Sequence, residues 1–154
     1  MKRVLFCLIT LLAVSCAKEE EARIPYRNVY LELDLVFEDK DLVSLFSHKI
    51  YTTKNINLNT ERAGFGGVIV FHGEDFGNGP YQAYDLACPY EAESSTLLTI
   101  EAGGIYAVCP KCQSKYELTS SGFPAQGSVS KYRLEQYKVS AVPSTVGTKL
   151  IVHN

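Results

Sequence analysis

The 154-residue chain has no tryptophan, only three histidines, and no apolar run long enough to cross a bilayer as a helix. The run from Val4 to Val14 is about eleven residues, whereas a membrane-spanning helix needs about 20. Positive charge is not in excess: fifteen Lys and Arg are interspersed with seventeen Asp and Glu, for a net charge of −2. Without a basic face there is no electrostatic footprint for nucleic acid, and that class of partner is excluded. Gly64-Phe-Gly-Gly67 lacks both a following helix and a lysine, so it is not a phosphate loop. Internal repeats, low-complexity segments and a sustained helical period are missing as well.

Apolar residues, in contrast, make up 46% of the chain, and tyrosine is abundant at ten. That composition supports a packed core, and the length corresponds to one domain. Val29, Leu31, Leu33, Leu35 and Phe37 alternate with Tyr30, Glu32, Asp34 and Val36, which predicts a strand with one buried face. Ile50 to Thr53, Val68 to Phe71, Tyr81 to Ala87, Tyr116 to Leu118, Tyr132 to Val142 and Lys149 to His153 are further predicted strands. Leu97 to Glu101 and Ile105 to Val108 form a predicted hairpin about Ala102-Gly-Gly104. The segment from Gly73 to Pro80 has the composition of a tight reversal. Short strands with turn signals every 8–12 residues predict a small antiparallel all-β sandwich or barrel. The tyrosines fit half-buried strand positions rather than a sugar-stacking platform.

The first residues read as a processing segment. Lys2-Arg3 and the apolar run precede Leu12-Ala-Val-Ser-Cys16, a small residue directly before a cysteine. This junction resembles a bacterial lipoprotein cleavage site, with Ala13 standing where the commonest pattern has leucine. The resemblance implies a signal peptide over residues 1–15 and an acylated Cys16 as the mature N-terminus, anchoring the protein to a membrane. Residues 16–23 then form an acidic tether, with Glu19-Glu-Glu21 behind the anchor. This cluster resembles the surface-export signal of Bacteroidetes lipoproteins and implies a lipid-anchored outer-membrane protein at the cell surface, or otherwise on the periplasmic face. The folded domain is expected over residues 24–154, in a compartment where thiols tend to oxidise.

The chemistry concentrates in two loops that follow predicted strands. The first is Cys88-Pro-Tyr90 with Glu91 and Glu93 beyond it, and the second is Cys109-Pro-Lys-Cys112 followed by Gln113-Ser-Lys-Tyr116. A turn at Gly122-Phe-Pro-Ala-Gln-Gly127 comes after. This arrangement, from about Val68 to the C-terminus, resembles the Rieske domain, whose Cys-x-His and Cys-x-x-His loops hold a 2Fe–2S cluster. The resemblance implies a Rieske-like β domain with both cysteine loops at one tip. Cys88 and Cys109 match the two cysteines on one iron, while Tyr90 and Cys112 stand where the two histidines on the other iron belong. His48, His72 and His153 all lie outside the loops.

Four readings of that pocket are open. In the first, the cluster is lost, no cofactor is bound and the loops are kept as a structural clasp. A Cys88–Cys109 disulfide would then enclose about 20 residues and contribute on the order of 3 kcal/mol. Pairing of Cys109 with Cys112 is the alternative, and either choice leaves one cysteine over. In the second, zinc is held by Cys88, Cys109 and Cys112, with Glu91, Tyr90 or another donor as fourth ligand. In the third, three thiolates and a phenolate or carboxylate hold an atypical 2Fe–2S cluster, of lower potential than a histidine-ligated one, which would need a redox partner. In the fourth, Cys109-Pro-Lys-Cys112 is a thiol redox site with Lys111 favouring the thiolate, although such motifs usually open a helix. Glu91 and Glu93 read as solvated loop carboxylates, and Asp85 as a bond acceptor for loop amides. The preferred expectation is a non-enzymatic, cluster-free extracytoplasmic lipoprotein with a structural or interaction role and a membrane contact through its lipid.

Overall fold

The computed structural model describes residues 23–75, 77 and 79–154. The expected signal peptide, Cys16 and all of the tether except Arg23 lie outside the described residues. Eleven strands run β1 Val29–Asp34, β2 His48–Tyr51, β3 Arg62–Ala63, β4 Val68–His72, β5 Tyr81–Asp85, β6 Thr99–Ile100, β7 Tyr106–Val108, β8 Lys115–Glu117, β9 Phe123–Pro124, β10 Gln136–Ser144 and β11 Gly147–His153. They form a seven-stranded antiparallel sheet in the order β2-β4-β5-β10-β11-β1-β3, curled towards a barrel, and a four-stranded sheet in the order β6-β7-β8-β9. The fold is therefore all-β, as the strand pattern predicts. Among the described residues helix is confined to 3-10 turns at Lys40–Val43 and Leu118–Ser120, and none is long and apolar enough to cross a membrane.

Two hydrophobic cores share β4 and β5. Val68, Val70 and Ala83 turn inward to meet Leu31, Leu33, Tyr51, Leu150 and Val152 inside the large sheet. Ile69, Phe71 and Tyr84 point the opposite way and meet Ala107, Tyr116, Leu118 and Leu134, which carry the small sheet. Alternate residues of a strand face opposite sides, so a strand covered on both faces must be apolar throughout. That is why Val68-Ile-Val-Phe71 reads as an unbroken apolar run while β1 alternates. Fully burying a side chain of this size stabilises the fold by about 1.5–3 kcal/mol. The second core also contains Cys88 and Cys109.

The structure departs from the sequence reading at element ends. The alternation predicts a strand through Phe37, but β1 stops at Asp34. The Asp34 carboxylate accepts bonds from the amides of Val36 and Phe37, and its carbonyl accepts from the Asp39 amide. A local side-chain bond to the backbone competes with the ladder and ends it. β10 begins at Gln136 rather than Tyr132, because Ser130 Oγ bonds Tyr132 on both its amide and its carbonyl, and the Leu134 amide bonds Gly122. β2 starts two residues earlier than predicted, paired with β4 from His48↔Phe71 to Tyr51↔Val68. The reversal from Gly73 to Pro80 forms as expected, closed by the Gly73 amide on the Pro80 carbonyl at 2.7 Å.

At the end of β5 a buried carboxylate joins three segments. Asp85 accepts bonds from the amides of Phe65 (3.0 Å), Gly66 (3.2 Å) and Ala87 (2.7 Å), and from the Tyr137 phenol on β10 (2.6 Å). Burial raises its pKa, and these four donors offset only part of that rise. Glycine is required at position 66, since a Cβ there would lie 2.7 Å from the Ala87 backbone nitrogen. An Asp85→Asn variant replaces an acceptor oxygen with an NH2 group facing backbone donors. It should lose about 3 kcal/mol, measured as a lower denaturation midpoint in urea; an unchanged midpoint would show that the carboxylate is not the joint.

Candidate metal centre

Each cysteine loop grows out of a strand end. After β5, Ala87 bridges to Leu97 and the Cys88 amide bonds the Thr96 carbonyl at 3.0 Å. Between them Pro89 to Ser95 makes a loop in which the Ala92 amide returns to the Cys88 carbonyl at 2.9 Å. After β7, the Cys109 amide bonds the Ser114 carbonyl at 2.9 Å, and the Gln113 amide returns to the Cys109 carbonyl at 3.0 Å. Each turn is thus closed by its own backbone bonds, and the side chains of the two converge.

They do converge. The sulfurs of Cys88, Cys109 and Cys112 all lie within 4.8 Å of one another, and this trio can bind a metal ion. All three are free thiols, Cys88 and Cys109 fully buried at 0% exposure and Cys112 half-buried. Cys88 Sγ and Cys112 Sγ are 3.7 Å apart, so the loops meet through a pair that chain spacing did not pick out. The Cys112 amide donates to Cys109 Sγ at 3.5 Å. Burial pushes the Cys109 thiol up to about 12, against the pull of the Cys112 and Lys111 amides. Burial acts on Cys112 in the same sense, but bonds with the Ser114 side chain and backbone, and with its neighbouring thiols, outweigh it and hold that thiol below its ordinary value.

Tyr90 does not join this group through a hydrogen bond. It is 38% exposed, and its carbonyl accepts from Arg23 Nη1 at 3.1 Å. The phenol that reaches the trio belongs to Tyr116, fully buried, with its oxygen 3.4 Å from Cys88 Sγ. Ser114 also escaped the sequence reading. The Cys112 thiol donates to its hydroxyl oxygen at 3.3 Å, and that same oxygen accepts from the Ser130 amide at 2.9 Å. Neither residue carried a signal in the chain: Ser114 lies between the turn that holds Cys112 and the start of β8, and Tyr116 reads as an ordinary strand tyrosine.

Lys111 does not serve the thiolates directly. Its ammonium pairs with Glu91 Oε2 at 2.8 Å and Glu93 Oε2 at 3.2 Å, tying the second loop to the first. Both carboxylates are therefore inter-loop ion-pair partners rather than an acid/base pair. His72 bonds the Ser44 carbonyl through Nδ1 (3.1 Å) and stacks on Tyr81, and no histidine joins the trio among the described residues. Cys109-Pro-Lys-Cys112 lies between β7 and β8 rather than at a helix start.

The Rieske resemblance implies a two-iron cluster at this place. Such a cluster would be held at the positions of Cys88, Tyr90, Cys109 and Cys112, but Cys88 Sγ and Cys112 Sγ lie only 3.7 Å apart and Tyr90 is 38% exposed. The donor set lacks imidazole as well. The 3.7 Å sulfur contact is close to the edge, about 3.8 Å, of a tetrahedron of four ligands at metal–sulfur bonds of about 2.3 Å.

The packing predicts unequal thiol reactivity. In reduced, chelator-treated protein, a small alkylating reagent should label Cys112 at least about tenfold faster than Cys88 or Cys109. Equal labelling of all three under native conditions, read by peptide mass spectrometry, would contradict the burial. Comparison with protein-family models, curated proteins and solved structures finds no match to this chain, so the reading of the site rests on its own geometry and donor set.

Proposed function

We propose that this protein is a lipid-anchored, extracytoplasmic, non-enzymatic β domain, in which loops of Rieske-like outline are joined directly through their sulfurs rather than across a 2Fe–2S cluster. The observation that carries this reading is the contact between Cys88 and Cys112 inside a trio spanning no more than 4.8 Å. The remaining polar groups near the loops have structural partners. Asp85 accepts four different donors, Glu91 and Glu93 pair with Lys111, and Cys109 is a buried thiol of raised pKa. Among the described residues this leaves the half-buried Cys112 thiol as the reactive group of the region, with no histidine in the trio to act as its base.

Arg23 lies over the Tyr132 ring at 4.8 Å and donates to the Tyr90 carbonyl, so the chain enters the domain beside the first cysteine loop. From Cys16 to Arg23 is a reach of at most about 25 Å. A chain acylated at Cys16 therefore holds the cysteine tip near the bilayer, on the outer face of an outer membrane in the orientation that the acidic tether favours.

Two measurements test this. Protein purified without air should be colourless, with no acid-labile sulfide and iron well below one per chain. Iron and sulfide in equal stoichiometric amounts would overturn the cluster-free reading in favour of electron transfer. A Cys16→Ser variant should move from the membrane fraction to the soluble fraction with its domain folded. Unchanged membrane association would overturn the lipid anchor.

A further inference from the structure

The two cysteine loops are built on one plan, although beyond Cys-Pro their sequences differ. In the second, Gln113 bonds back to the Cys109 carbonyl and takes φ 60°. In the first, Ala92 bonds back to the Cys88 carbonyl and takes φ 54°. Each is a turn closed by a bond from residue i+4 to residue i and ended by a left-handed residue. That conformation is unfavourable for any side chain with a Cβ, yet it recurs at the same offset in both loops without glycine. Among the described residues, two of the four non-glycine residues with positive φ are these two.

This equivalence pairs Cys88 with Cys109 and, three residues on, Glu91 with Cys112. Cys112 is the residue whose sulfur turns back onto the other two, so Glu91 is its counterpart in the first loop. The Glu91 side chain is only 12% exposed, although glutamate is ordinarily found in solvent. Its Oε2 is held by Lys111, which lies between Cys109 and Cys112, so the carboxylate is already drawn across to the second loop. Its Oε1 accepts no hydrogen bond among the described residues.

We propose that the two turns form one four-donor site for a single divalent ion of the zinc class, ligated by the thiolates of Cys88, Cys109 and Cys112 and by Glu91 Oε1. The inference rests on the cluster-free reading above and names what does the clasping. Three sulfurs and one carboxylate oxygen suit the tetrahedral habit of zinc, and the soft sulfurs disfavour magnesium and calcium. Binding displaces the three thiol protons to solvent. Four anionic ligands on a divalent ion leave two negative charges. The Lys111 ammonium on Oε2 and the Cys112 amide on Cys109 Sγ are placed to offset them. The Glu91 carboxylate lies outside the 4.8 Å span of the sulfur trio, so ligation requires it to move inward.

The test uses the full acylated chain in detergent, reduced, stripped of metal and titrated anaerobically with cobalt(II). One cobalt per chain is expected, with sulfur-to-cobalt charge transfer and the intense visible bands of a tetrahedral site, and zinc should displace it stoichiometrically. Glu91→Gln should keep the stoichiometry and weaken affinity by roughly 10–100-fold, while Glu93→Gln should change it by less than about threefold. Glu91→Cys should bind more tightly than wild type, with charge-transfer intensity rising from that of three sulfur ligands to that of four. A merely structural Glu91 would give no such gain. Failure of the intact chain to take up cobalt or zinc, with a disulfide in its intact mass, would overturn the ion but leave the cluster-free clasp standing. Stoichiometric iron and sulfide would overturn both. Glu91→Gln and Glu91→Cys spectra and affinities identical to wild type would overturn Glu91 as the fourth ligand.

Discussion

Asp85 sits where the two halves of the molecule meet. Its carboxylate accepts the amides of Phe65 and Gly66 ahead of β4, the amide of Ala87 at the root of the first cysteine loop, and the phenol of Tyr137 on β10. A buried carboxylate is unfavourable unless its oxygens are satisfied, and here satisfying them requires three chain segments to be in register at once. The same demand sets the direction in which the chain leaves β5. Two residues beyond Ala87's bridge partner lies β6, and directly beyond Ala87 lies Cys88, which is delivered into the second core rather than into solvent.

From that joint the two sheets divide the work. The large sheet encloses its own core and supplies rigidity through β4 and β5, whose opposite faces serve both cores. The small sheet is too short to bury much on its own, with strands of two or three residues. It depends on Ile69, Phe71 and Tyr84 for a floor and on the cysteine loops for closure. In this setting Cys88 and Cys109 are part of the packing and of the donor set at once. Tyr116 shows the same double use, with its ring in the core and its hydroxyl on Cys88.

Much of this was legible in the chain. The alternation in β1, the unbroken apolar run of β4, the reversal from Gly73 to Pro80 and the strand ends before each Cys-Pro pair all appear in the structure. What misled was local polar competition: Asp34 ends a strand that the apolar pattern would continue, and Ser130 delays one that tyrosine and leucine would begin. Short strands such as β3 and β9 carry no period of their own and exist because a neighbouring edge is available to pair with. At the site, the identities of Cys88, Cys109 and Cys112 were plain, as was their grouping. Tyr116 and Ser114 were not, because a tyrosine and a serine on a strand look alike whether or not a sulfur lies beside them.

By itself the sequence determined the class of fold, the two turns and the three thiols, since these follow from period, turn chemistry and residue type. Only the tertiary structure decided which sulfurs touch. The Cys88–Cys112 contact joins residues 24 apart through two loops that share no strand pairing, and its distance depends on how the small sheet seats on β4 and β5. It is also the tertiary structure that takes Lys111 away from the thiols and gives it to Glu91 and Glu93, because side-chain charges pair across loops according to where packing places them. Tyr90, the residue that a linear motif puts at the site, lies exposed. The site was written as a spacing, and its chemistry emerged only when packing set the distances.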